Sequence, residues 1–168
     1  MTEAVRRIVE KLELVPHPEG GFFKEVYRSE ELIPKEGLAE RFPDSRSVST
    51  SIYYLLDGEN ISHFHKIKSD EIWHFYSGTT LLLHQIDSEG NSSCVRVGSN
   101  LENGEVPQAV VMNGNWFAAE VEDKNSYTLV GCTVAPGFDF SDFELAVQKD
   151  LRYRFPQHAD LIKMFTAN

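Results

Sequence analysis

Between Phe22 and Ala135 the chain is cut every few residues by turn signals: Asp57-Gly58, Ser69-Asp70, Ser77-Gly78, Glu89-Gly90-Asn91, Asn103-Gly104 and Asn113-Gly114. The runs between them are short and carry many β-branched and aromatic residues. They read as strands at 22–28, 48–56, 61–66, 71–76, 79–87, 92–97, 108–112, 116–122 and 126–135. Strands so closely spaced and punctuated indicate an antiparallel sandwich or barrel.

Helices flank this region. Val5, Ile8, Val9 and Leu12 recur at helical spacing within Thr2–Leu14, and Pro16-His17-Pro18-Glu19-Gly20-Gly21 ends that helix. Leu32–Ser45, with two prolines and a glycine, reads as a long surface loop. Ser141 and Glu144 match a capping box, which predicts a helix running through Leu145, Lys149 and Arg152. A second short helix is expected after Pro156, carrying Leu161, Ile162 and Phe165.

The 168 residues fit one domain, 1–168. With 41% hydrophobic and 25% charged residues the chain matches an ordinary globule, not a disordered one. A net charge of −10 argues against nucleic acid or an anionic membrane surface as partner, since both require a basic footprint. No apolar run approaches the ~20 residues that span a bilayer. Cys94 and Cys132 form neither a disulfide framework nor a CxxC pair, which points to a reducing, cytoplasmic setting.

The chemistry concentrates on the hairpin around residues 62–78. His63 and His65 lie two apart on a strand, so a regular pleat puts both side chains on one face. Glu71 opens the next strand and can reach that face. Glu71, Trp73 and Phe75 alternate with Ile72, His74 and Tyr76; one set faces inward, and the sequence leaves open which. Two imidazoles and a carboxylate suit a divalent metal. They equally suit acid–base work near neutrality, or a surface histidine pair beside a turn.

These residues carry a resemblance. Gly58, His63, His65, Glu71 and Gly78 resemble the first cupin motif, G-x5-HxH-x3,4-E-x6-G. The last interval fits, whereas four residues separate Gly58 from His63 and five separate His65 from Glu71. Together with His17-Pro18-Glu19-Gly20-Gly21-Phe22-Phe23, Tyr27-Arg28-Ser29, Ser69–Phe75, Trp116–Ala119 and Gly131–Phe140, the chain is similar to the fifth cupin group, a family without an established reaction. The resemblance implies a mainly β fold, a double-stranded β-helix (jelly-roll, cupin) barrel with an N-terminal helix and C-terminal helices. It also implies a homodimer and a pocket inside the barrel. In the second cupin motif Phe117 stands where the ligand histidine is expected and Met112 where proline is expected. The remaining metal set is His63, His65 and Glu71, with His84 as a fourth; the expectation is no cofactor, with a divalent metal as the alternative.

A small barrel holds one small ligand in its mouth. Phe23, Arg28, Tyr54, Trp73, Phe75 and Phe117 are the candidate ligand contacts, with Arg28 read first as a structural ion pair. His65, His74, Tyr76 and Glu71 are the candidate catalytic residues, with Tyr54 as a second candidate phenol. Three functions stay open: a metal-free sugar or sugar-nucleotide isomerase or epimerase using His/Tyr acid–base chemistry, a metal-dependent oxygenase or isomerase, and a non-catalytic binding module or sensor. The partner in each is a small metabolite, with neither nucleic acid nor membrane. His17-Pro18-Glu19-Gly20-Gly21 reads as a rigid turn, with a place on the pocket rim as the alternative. Trp116, Phe138 and Phe140 read as core packing, Cys132 as a buried inert thiol, and Glu144 as part of its capping box.

Overall fold

A computed structural model describes residues 1–167. Helix α1, Glu3–Leu12, starts where Thr2 Oγ1 accepts from the Val5 amide at 3.3 Å. The strands that follow are β1 (Val15–Pro16), β2 (Phe22–Arg28), β3 (Leu32–Ile33), β4 (Arg46–Ser47), β5 (Thr50–Asp57), β6 (Ile61–Lys66) and β7 (Asp70–Gly78). They continue as β8 (Leu81–Ile86), β9 (Ser92–Val97), β10 (Gln108–Val111), β11 (Trp116–Val121), β12 (Tyr127–Ala135) and β13 (Glu144–Leu145). Helices α2 (Gln148–Arg154) and α3 (Ala159–Met164) close the chain.

The strands pair antiparallel into two facing sheets, ordered β1-β2-β5-β12-β7-β10 and β13-β6-β11-β8-β9. This is the antiparallel sandwich that the turn spacing predicts, in the jelly-roll arrangement that the resemblance implies. Alternation sorts each strand. Tyr54, Leu56, Trp73, Leu81, Leu83, Phe117, Val130 and Cys132 point between the sheets and form the barrel core. Leu55 faces outward from the first sheet and is sealed by Val5 and Leu14, so α1 covers that side. Phe64, Ile86, Trp116 and Ala118 face outward from the second sheet under Leu151, Phe155, Ile162 and Phe165. Both amphipathic termini thus bury outward-facing apolar rows that would otherwise meet water. Among the described residues no helix is long and apolar enough to cross a membrane.

Two local expectations fail. Ser141 and Glu144 do not cap a helix. Asp139 accepts from the Ser141 amide at 2.8 Å and heads a single 3₁₀ turn, Phe140–Asp142. Glu144 and Leu145 then pair as β13 with Lys66 and His65, and Glu144 Oε2 meets Lys66 Nζ at 2.9 Å. Tertiary pairing along β6 overrides the local helix signal, and α2 begins three residues beyond Leu145. The segment 32–45 is also less loop-like than its composition. It is bracketed by the β3–β4 ribbon, and Phe42 is buried beneath the Arg46 guanidinium.

Candidate functional site

The chain makes its site where the 17–21 turn enters the barrel mouth. His17 N donates to Gly21 O and Gly20 N to His17 O, each at 3.0 Å, which tightens the loop. Gly20, at φ 117°, comes so close to β6 that a Cβ there would lie 2.1 Å from Ile61 O. Gly21, at φ 69°, would put a Cβ 2.7 Å from Leu55 O. Only glycine meets both demands. The turn drives Glu19 into the barrel, where its side chain is almost fully buried.

Strand β6 receives it through a bulge. Ser62 pairs with Ala119 and His65 with Phe117, so the β6 side has one extra residue. The bulge turns Ser62 and His65 to the same inner face and takes His63 out of register. Glu19 Oε1 accepts from Ser62 Oγ at 2.9 Å, and Glu19 Oε2 lies 2.8 Å from His65 Nε2. His65 Nδ1 is 2.7 Å from the His63 carbonyl. A carbonyl only accepts, so Nδ1 carries a proton. The second proton is shared between Nε2 and the Glu19 carboxyl, and the raised His65 and lowered Glu19 pKa favour the imidazolium–carboxylate form. Burial opposes the charge of His65, but Glu19, the His63 carbonyl and Glu71 together raise its pKa above the ordinary value. Burial likewise opposes the charge of Glu19. The His65 charge and hydrogen bond, with smaller help from His17 and Ser62, outweigh it and lower the pKa.

Glu71 reaches the same space from β7, on the opposite sheet. Burial and then the like charge of Glu19 push its pKa up to about 7, partly offset by His65 and the Cys132 thiol. Cys132 itself is pushed well up by burial and by Glu71, so its sulfur stays protonated. His17 stays neutral: burial lowers its pKa more than Glu19 raises it, and its Nδ1 accepts from the Glu19 amide at 3.3 Å.

These groups border a cavity of about 240 Å³. Phe23, Tyr54, Trp73, Ile52 and Val134 form its walls, and Phe138, Phe140 and Phe143 its mouth. The His17 ring stands edge-on to Phe23 at 4.6 Å and stacks on Phe140 at 6.1 Å.

Of the expected catalytic residues, His65 and Glu71 meet here and the other two do not. His74 and Tyr76 occupy the outward face of β7. The His74 Nε2 lies 3.2 Å from Thr133 Oγ1, and Tyr76 is half exposed against Tyr53. The Tyr54 hydroxyl borders the cavity but donates to Gly20 O at 2.9 Å, and burial raises its pKa well above normal. Of the expected ligand contacts, Phe23, Arg28, Tyr54 and Trp73 line the cavity. Phe117 sits behind His65, ring centroids 4.0 Å apart, and Phe75 packs elsewhere against the barrel core.

The expected metal shell is not assembled. His63 faces Glu19 O, at 2.7 Å from its Nδ1, outside the cavity lining. His84 lies on the outer face of β8 against Glu120 and Phe165. Both ring nitrogens of His65 are engaged as donors, and Cys132 is a protonated thiol. Among the described residues no group of three or more His, Cys, Asp and Glu side chains is arranged to hold an ion. The residues present do not fit a divalent metal.

Sequence reasoning placed His17 and Glu19 no closer than a rim and gave Phe143 no role. The available signal was two ionisable residues in a turn closed by Gly-Gly. Phe140, expected in the core, is 52% exposed at the mouth.

A family model described as Cupin superfamily (DUF985) matches residues 6–146. The uncharacterized protein YML079W of Saccharomyces cerevisiae is 32% identical over 151 residues, 83% of this chain and 73% of that protein. The crystal structure of protein SO0799 from Shewanella oneidensis shares 37% identity with a TM-score of 0.86, covering 99% of both chains. A hypothetical protein from Leishmania major shares 36% identity with a TM-score of 0.87, covering 97% of this chain and 98% of that one.

Proposed function

The chain belongs to the Cupin superfamily (DUF985), and from that premise we propose that it binds a small polar metabolite inside the barrel and moves a proton on it, as an isomerase or epimerase does. The observation that carries this reading is a carboxyl and an imidazolium entering one aromatic cavity from opposite sheets. Glu71, with a pKa of about 7, is divided between acid and base near neutral pH, which suits a group that must take and return a proton. His65, held as a cation beside Glu19, has both ring N–H groups taken by Glu19 and His63, so it acts on a developing enolate oxygen through its charge alone. Glu71 removes a proton from the carbon beside a carbonyl, and the carbonyl oxygen, facing His65, becomes the enolate. Water then returns a proton to the opposite face of that carbon to give the epimer, or Glu71 returns it to the neighbouring carbon while the hydroxyl proton passes to the former carbonyl oxygen to give the aldose–ketose isomer. The aromatic walls exclude water, which strengthens both interactions. At about 240 Å³ the cavity falls below the ~300–1,000 Å³ of common ligand sites, which favours a free sugar or hydroxycarbonyl over a sugar nucleotide.

The test is solvent exchange. Small aldoses, ketoses and α-hydroxy ketones are incubated with the protein in D2O and followed by NMR. Deuterium is expected at the carbon beside the carbonyl of at least one of them. His65→Asn and Glu71→Gln should each slow that exchange by about 10²-fold or more. Exchange that survives Glu71→Gln, or no exchange anywhere in the panel, overturns the reading.

A further inference from the structure

The cavity mouth holds a charge arrangement that the proton transfer does not use. Strand β2 carries a bulge of its own. Glu25 pairs with Ile52, Tyr27 with Ser51 and Arg28 with Thr50, so Val26 is the extra residue. Without the bulge, Glu25 and Arg28 would fall on opposite faces of the strand. With it, both line the cavity.

Arg28 Nε and Nη2 donate to the two carboxylate oxygens of Glu25 at 3.0 and 2.8 Å. Nη2 also donates to Phe138 O at 2.9 Å, and Nη1 to Ser47 Oγ at 3.5 Å. Of the guanidinium's five N–H groups, these bonds leave one Nη1 hydrogen. The other lining cation, His65, is engaged at both ring nitrogens by Glu19 and His63. Asp139 adds a further negative charge at the mouth, and the chain as a whole carries −10. An incoming anion meets an acidic rim, a neutralised arginine and a repelling field.

We propose that Glu25 is a specificity-determining residue: by holding Arg28 in a two-point ion pair it closes the mouth to anions, so the substrates of this cavity carry neither phosphate nor carboxylate. The inference rests on the small-molecule reading above and names its substrate class as uncharged.

The experiment uses inorganic phosphate and acetate as probes at constant ionic strength. Backbone amide NMR shifts around Arg28, Thr50 and Phe138 report the mouth. The unsubstituted protein should show no saturable response to either anion. Glu25→Ala, and Glu25→Gln as the shape-preserving alternative, should bind both anions at least about tenfold more tightly. The gain should disappear when Arg28→Ala is added. Saturable anion binding at the mouth of the unsubstituted protein, or no gain in either folded Glu25 variant, overturns the proposal. The two readings fail separately. An empty exchange panel in D2O removes the proton transfer and leaves the anion result standing, whereas anion binding by the unsubstituted protein removes only the substrate class.

Discussion

Glu71 ties the chemistry to stability. Its folded-state pKa of about 7 lies above the ordinary 4.5, so the folded state holds this proton more tightly than the unfolded chain. The resulting stability is complete below pH 4.5 and is lost as pH rises through about 7. Glu71→Gln cannot ionise. It should therefore be more stable than the parent by roughly 3 kcal/mol at about pH 8, the gap closing toward the acid end. Urea melts at several pH values would show this, and a gap independent of pH would refute the assigned environment. Glu19 acts in the opposite sense. Glu19→Gln removes the charge that keeps His65 protonated, so the His65 ring pKa should fall, as read by NMR titration. Breaking the buried pair should cost about 3–5 kcal/mol.

At the scale of elements, bulges aim the functional side chains. The bulge in β6 brings Ser62 and His65 to one face, and the bulge in β2 does the same for Glu25 and Arg28. The 17–21 turn completes the set by crossing β6 at van der Waals limits. Gly20→Ala should push that turn away from Ile61 and destabilise the fold by roughly 2–4 kcal/mol. The His65 NMR signals should shift with it; an unchanged denaturation midpoint would count against the tight crossing. This explains how much could be read beforehand. Strand positions were legible because alternation and turn dipeptides are local properties. The observed Phe22–Arg28 and Ile61–Lys66 coincide with the expected ranges. The face on which His63 lies was not legible, because an extra residue in one strand leaves no mark in a pattern of alternating residues. Glu19 was missed for a similar reason: its role depends on a contact 43 residues away in sequence, with Ser62.

For the molecule as a whole, one ion pair ties the 38–47 segment to the cavity mouth. Arg46 donates to both oxygens of Asp142 at 2.7 and 2.6 Å, and also to Ser141 Oγ and the Asp44 and Ser45 carbonyls. The neighbouring segment is further held by Thr50 Oγ1 accepting from the Phe138 amide and by Ser69 Oγ donating to Pro136 O. Asp142→Asn leaves a buried guanidinium without its counter-charge. It should cost about 3–5 kcal/mol and speed amide hydrogen exchange in both 38–47 and 136–143. Faster exchange in only one of the two would show that they are not coupled through this pair. The placement of His65 and Glu71 on different sheets has a last consequence. Their separation follows the thickness of the sandwich, which the side chains interleaved between its layers set. Swapping a remote filler such as Leu83 or Val130 for one of different volume would therefore retune the reacting distance without touching a single group that meets the ligand.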